Sequence, residues 1–215
     1  MKKTKAIPKK TASRTGRWDR SRSTTERRGD QRAHILEAAA RVFSERGFGR
    51  STVQHVIERA NISRRTFYEH FDDLRGLLLE LHSFIAQVSF QTVEAATQAE
   101  PNRGRKLRVG VEAFLRLVAE NGSLARVLFR EIRALGPEHE VRREMVLQRF
   151  SSLLLEGFAH AYAEKVLSRP PDELTIFALV SAIEAVGMRY ADRGEAHRAP
   201  EAASALVHLC EAAFR

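Results

Sequence analysis

The chain has 215 residues, with 36 Lys and Arg against 27 Asp and Glu, a net charge of +9; at that length one or two domains with a buried core are expected. Eleven bases and two acids fall in residues 1–29 and account for the whole surplus, leaving 30–215 neutral, and a basic segment on a neutral body points to a polyanion, either nucleic acid or an anionic membrane surface. The single Cys210 excludes an intramolecular disulfide, no apolar run follows MKKTKAIPKK and none reaches the ~18 uncharged apolar residues of a membrane span, so secretion and insertion are not expected and the reading is cytoplasmic.

Residues 1–29 hold eight Ser or Thr and only Met1, Ile7 and Trp18 as large apolar side chains. That is too little to offset the entropy of ordering, so a disordered basic tail is predicted. From Asp30 onward the pattern is helical and no alternating run suggests a sheet, which makes the fold all-α. Asp30 caps a first helix whose stripe is Ile35, Leu36, Ala39, Val42 and Phe43, ending at Gly47. Ser51 or Thr52 caps a short second helix with Val53, Val56, Ile57 and Ala60 on one face. It stops at Asn61, which tolerates the left-handed conformation of a tight turn. Ser63 caps a third helix over about 64–70 that turns Phe67 and Phe71 inward and leaves Arg64, Arg65, Thr66, Tyr68 and His70 for other faces. Asp72 and Asp73 start a fourth, with Leu74, Leu77, Leu78, Leu81, Ile85 and Val88 aligned, running to about Ala99. Further helices are predicted at about 103–120, 123–135, 137–168, 172–190 and 200–214. The breaks fall at Asn121-Gly122, Gly136-Pro137, Arg169-Pro170-Pro171 and Arg193-Gly194. A boundary at Phe71 separates a three-helix unit of 30–71 from a helical bundle of 72–215, with no flexible linker, so rigid packing of the two is expected.

Two short helices joined by Asn61-Ile62-Ser63, the second exposing bases, hydroxyls and a Tyr, form a helix-turn-helix. A helix ~10–12 Å across fits the ~12 Å major groove, while the N-terminal amides of the preceding helix face a phosphate. Thr52 adds a hydroxyl there. Arg64 and Arg65 supply forked donors for guanine edges or phosphates, and Thr66, Tyr68 and His70 reach phosphate oxygens. A solvated helical hairpin with Arg on one side has the same spacing; the basic tail favours the DNA reading.

The segment Thr52-Val53-Gln54-His55-Val56-Ile57-Glu58-Arg59-Ala60-Asn61-Ile62-Ser63-Arg64-Arg65-Thr66-Phe67-Tyr68-Glu69-His70-Phe71, preceded by Val42-Phe43 and Gly47-Phe48, resembles the N-terminal domain of the TetR family of bacterial transcriptional regulators. The resemblance covers about 30–80; beyond Leu81 it is architectural only. It implies a homodimer that binds a double-stranded DNA operator through the third helix and is released by a small ligand held in the C-terminal bundle, most simply a repressor. Thr52, Thr66, Tyr68 and His70 would take the family's phosphate contacts, with Arg64 and Arg65 at its base-reading positions and Ser63 as the cap. Asn61 stands where Gly is usual, Ile57 where Ala is usual, and Leu74 where a backbone-contacting Lys is common. The tail can substitute for that Lys, or it serves solubility alone.

The helix of 172–190 is apolar nearly all round, from Leu174 to Met188, so both its sides must be covered. One side can face its own bundle and the other a second copy, joined by the final helix with Leu206, Leu209, Cys210 and Ala213. Such a twofold interface places two reading helices ~34 Å apart and implies a pseudo-palindromic site; a core helix of a monomer is the alternative. Phe84, Phe114, Phe150, Phe158, Tyr162, Phe177 and Glu184 are candidates for lining a cavity for a small apolar or amphipathic effector. For Glu184 the plainer reading is a pair with Arg or exposure to solvent. No HExxH, P-loop, Gly-rich dinucleotide fingerprint, Cys-His metal spacing or Glu-x-x-His di-metal pattern occurs. Catalysis, a metal and a cofactor are therefore not expected. The rival class is a helical carrier or membrane-surface protein whose tail binds anionic lipid without DNA.

Overall fold

The computed structural model describes residues 24–215. Residues 1–23, most of the segment expected to be disordered, lie outside the described residues. The described chain is helical with no strand, in the order α1 (Thr24–Arg46), α2 (Val53–Ala60), α3 (Arg64–Tyr68), α4 (Leu74–Ala99), α5 (Arg103–Glu120), α6 (Gly122–Arg130), α7 (Pro137–Ala163), α8 (Glu173–Asp192) and α9 (Ala203–Ala212). Short 3₁₀ segments lie at Phe48–Arg50, Glu131–Leu135 and Ala196–Ala202.

Where the expected ends move, the cause is local. α1 begins at Thr24 instead of Asp30, so disorder does not extend to residue 29. Its first turns find partners far along the chain: Arg28 donates to the Glu69 carbonyl and Arg32 to the His70 carbonyl, at 3.2 and 3.0 Å. α3 ends at Tyr68, two residues early, as the amides of His70 and Phe71 close on the Phe67 carbonyl. The helix expected over 123–135 tightens to 3₁₀ at Glu131. α7 stops five residues short of 168, at Ala163, because Lys165 adopts left-handed φ 59° and the amides of Lys165 and Val166 cap the Tyr162 and Ala161 carbonyls. Leu167 then folds back beside Phe158, Ile176 and Phe214.

One continuous core joins the helix-turn-helix to the body. Ile35, Leu36, Ala39, Val42 and Phe43 of α1 pack with Val56, Ile57, Ala60, Phe67 and Phe71. The same cluster takes in Leu77, Leu78 and Leu81 of α4, and Leu124, Val127, Leu128 and Ile132 from α6 and the segment after it. Leu74, where a basic residue is common in the resembling family, packs half-buried against this core. α5, the end of α8, the Ala196–Ala202 segment and α9 form a second cluster, and Phe158, Ile176, Leu179, Cys210 and Phe214 a third. Burial pushes the Cys210 thiol up to about 11.

α8 is the one described helix long and apolar enough, by length and composition, to cross a membrane, yet within the chain only 28% of its most apolar window is buried. The expectation that both of its sides are covered is therefore not met inside one chain: Ile176, Leu179, Val180 and Gly187 face inward, while Leu174 is 78% exposed and Leu209 of α9 47% exposed.

Candidate nucleic-acid interface

The α2–turn–α3 unit is built from caps. The Thr52 hydroxyl accepts the His55 amide at 3.3 Å while His55 Nδ1 accepts the Thr52 amide at 3.2 Å, a reciprocal box with His in the place usual for Glu. The amides of Val53 and Gln54 stay free by helix geometry, and the Thr52 hydroxyl keeps its own proton to donate. At the other end Asn61 sits at φ 51°, ψ 51°, its amide on the Glu58 carbonyl, with Ile62 N–H on the Ile57 carbonyl. This is a Schellman turn, and its companion apolar contact is supplied by Ile62 and Ile57, both in the core.

Ser63 caps α3 by accepting the Thr66 amide at 3.0 Å, and the two hydroxyls lie 2.8 Å apart. Phe67 is fully buried and anchors the helix. The opposite face is open. Arg64 is exposed, its guanidinium 5.7 Å from the centre of the half-exposed Tyr68 ring. The Arg65 side chain is 88% exposed and donates to Glu69 at 2.9 Å. Thr66 is half-buried beside Ser63. His70 is different: its Nε2 lies 2.9 Å from Gln31 Oε1 on α1, and burial, with Arg28 and Arg32 nearby, lowers its pKa. Thr52, Ser63, Arg64, Arg65 and Tyr68 thus share an exposed surface, while His70 faces α1.

The sequence reading did not foresee the bracing of this unit by α1 and the body. His34 Nε2 meets the Ala60 carbonyl at 2.8 Å, capping α2, and Arg59 forks onto Glu45 at 2.8 and 2.5 Å. Arg32 lies 4.6 Å over the Phe71 ring. From the body, Glu131 Oε2 accepts the amides of Phe48 and Gly49 at 2.6 and 3.2 Å, clasping the turn between α1 and α2. Gly47 allows this with φ 76°, and a Cβ there would press on the Glu131 carboxylate at 3.2 Å. Gln31 and Arg28 continue the Ile35 stripe backward at helical spacing, a signal the sequence does contain.

The seven residues read as cavity lining are not gathered around one space. Phe84 and Tyr162 are 45% and 42% exposed. Phe114 meets Phe150, which also stacks edge-on with Phe90. Phe158 packs on Phe214 in the third cluster, and Phe177 is half-buried. Glu184 forms an ion pair with Arg143 and lines a small cavity with His82 and His139. An open groove of about 340 Å³ lies between α8 and the following 3₁₀ segment, lined by Arg189, Tyr190, Arg193 and Arg198 among others. No group of three or more His, Cys, Asp or Glu that could hold a metal ion occurs among the described residues.

Comparison with known proteins agrees with this geometry. Residues 35–81 match the family model described as bacterial regulatory proteins, tetR family, and residues 101–211 match the tetracyclin repressor-like C-terminal domain. The chain is 26% identical over 102 residues to the HTH-type transcriptional activator FasR of Mycolicibacterium smegmatis, covering 47% of each protein. It is 30% identical over 131 residues to the HTH-type transcriptional regulator TtgR of Pseudomonas putida, covering 57% of this chain and 60% of that one. The matched part thus spans about half to three fifths of these relatives. The transcriptional regulator FadR of Bacillus subtilis, solved in complex with stearoyl-CoA, superposes with a TM-score of 0.73 at 16% identity, covering 85% of this chain and 99% of that one. With both the helix-turn-helix and more than half of the chain matched, this protein belongs to the TetR family of bacterial regulatory proteins.

Proposed function

We propose that the chain is a cytoplasmic, ligand-responsive repressor that binds a pseudo-palindromic DNA operator as a homodimer, with no catalytic role. The observation that carries this is the face of α3: Phe67 holds the helix from behind while Arg64, Arg65 and Tyr68 stand in solvent. Arg64 and Arg65 read base edges; Thr52, Ser63, Thr66 and Tyr68 hold phosphates, together with the free amides at the start of α2. His70 contributes by fixing the end of α3 against α1. The described fold begins beside that end, since Arg28, one turn into α1, already bonds to Glu69; the basic tail therefore joins next to the reading helix, as an arm for the neighbouring groove would.

The apolar faces left open on α8 and α9, with Leu174 and Leu209, suit a second copy, which sets two reading helices about one DNA turn (~34 Å) apart. That the FadR of Bacillus subtilis was solved in complex with stearoyl-CoA supports a small-molecule effector for this chain. The test is selection of bound fragments from the source genome, followed by mobility shifts with Arg64→Ala and Arg65→Ala. Each is expected to change which sequence is preferred, at ~1–3 kcal/mol per lost base contact. Equal weakening on every sequence, or binding to anionic liposomes with no DNA affinity, would overturn the assignment.

A further inference from the structure

Between α4, α6, α7 and α8 lies a cluster of polar groups that the DNA interface does not use. His139 is 2% exposed, and its Nδ1 has no hydrogen-bond partner; His82 Nδ1 is likewise buried and unpartnered. The two rings meet edge to face at 5.2 Å. Both line one cavity with Arg133, Arg143, Glu184 and Met188. Buried polar atoms are almost always satisfied, so two orphans on neighbouring residues of one cavity wall need an explanation.

The charges supply it. Arg143 and Glu184 neutralise one another in a mostly buried pair. Arg133, exposed at the rim, makes no ion pair among the described residues, so the cavity wall offers one unpaired cation beside two unpartnered imidazole nitrogens. A carboxylate answers that combination: one negative charge for Arg133, and two oxygens that accept from the two imidazoles when their protons sit on Nδ1. Leu128, Phe129 and Met188 on the same wall provide apolar surface for the rest of such a molecule.

We infer that this cavity is the seat of the effector's head group, and that the effector is a small organic acid bound through its free carboxylate. This rests on the ligand-responsive reading above and adds the ligand's chemical class and its place. The cavity holds only about 10 Å³, the size of one water, so entry requires its rim to open. Arg133, exposed, and Met188, half-buried and flexible, form the movable side. Arg133 stands two residues from Glu131, so drawing its guanidinium inward pulls on the segment that clasps the turn of the DNA-binding unit.

The test uses the full chain with sodium acetate, butyrate and octanoate, against octan-1-ol, octanoyl-CoA and matched sodium chloride. Calorimetry and the imidazole resonances of His82 and His139 are read, and genomic DNA binding is followed in parallel. Octanoate is expected to bind at least tenfold more tightly than octan-1-ol or octanoyl-CoA and to shift both imidazoles. Arg133→Ala, at an exposed position, is expected to lose at least tenfold in octanoate affinity, with the thermal midpoint of the acid-free chain showing that it still folds. Glu184→Gln, which frees Arg143, is expected to bind octanoate several-fold more tightly. Equal binding of acid and alcohol, silent imidazoles with every acid, or undiminished octanoate affinity in Arg133→Ala overturns the inference. A chain that binds no acid yet still shifts DNA sinks this inference alone; one that binds acid but no DNA sinks the regulator reading instead.

Discussion

Among single residues, Glu69 and His82 give the sharpest expectations. Glu69 holds Arg65 at 2.9 Å on the face proposed to meet DNA, where a carboxylate would also repel phosphate. Glu69→Gln should therefore strengthen binding, more on the preferred operator than on other sequences, because Arg65 is freed for its base edge. Mobility shifts on the preferred and an unrelated sequence check it; unaltered affinity on both means that Glu69 neither restrains Arg65 nor faces phosphate. His82 is held well below its ordinary range, at about 4, first by burial and then by His139, Arg142 and Arg143. In the unfolded chain this imidazole takes up its proton near pH 6.5, ~2.5 units higher. Its contribution is therefore complete above about pH 6.5 and is lost as pH falls toward 4, by up to roughly 3 kcal/mol. Urea midpoints across that window should fall less steeply in His82→Gln than in the parent chain; identical curves would refute the burial argument.

Individual elements divide by how local their causes are. The α2–turn–α3 unit is legible in the sequence because Thr52, Ser63, Asn61, Phe67 and Phe71 act within a few positions of themselves. Asn61→Ala should lower stability by ~1 kcal/mol, since alanine lacks the short polar side chain that eases the left-handed turn, whereas Asn61→Gly should be neutral or better. Denaturation midpoints of the two variants decide it. The start of α1 is not legible in the same way. Charged residues obscure its stripe, and the carbonyls that receive Arg28 and Arg32 come from Glu69 and His70, about forty positions on. The aromatic residues chosen as cavity lining show a further limit: composition marks Phe150 and Phe158 as apolar, but their partners Phe90 and Phe214 are set by helix packing alone. His82 and His139 likewise meet only because α4 packs on α7. Glu131 is the same kind of case. Its removal as Glu131→Ala leaves two amides without their acceptor and should cost about 2 kcal/mol, with faster hydrogen exchange at Phe48 and Gly49.

For the whole molecule, the decisive surface is the apolar face of α8 and α9. Fewer than a third of the α8 window residues are buried by the chain itself, a shortfall that the proposed second copy would remove. Leu209→Glu should shift the chain toward a monomer in light scattering and weaken operator binding well beyond the effect on a single half-site. Unchanged mass at micromolar concentration would place the interface elsewhere.

The bond from Glu131 to the Phe48 and Gly49 amides carries an obligation in both directions. Free energy is a state function: if an occupant of the body lowers the grip on an operator by some factor through this carboxylate, the operator must loosen the grip on that occupant equally. Affinities for small acids measured on naked protein will then overstate those in the DNA-bound complex, and the ratio of the two is itself the size of the signal.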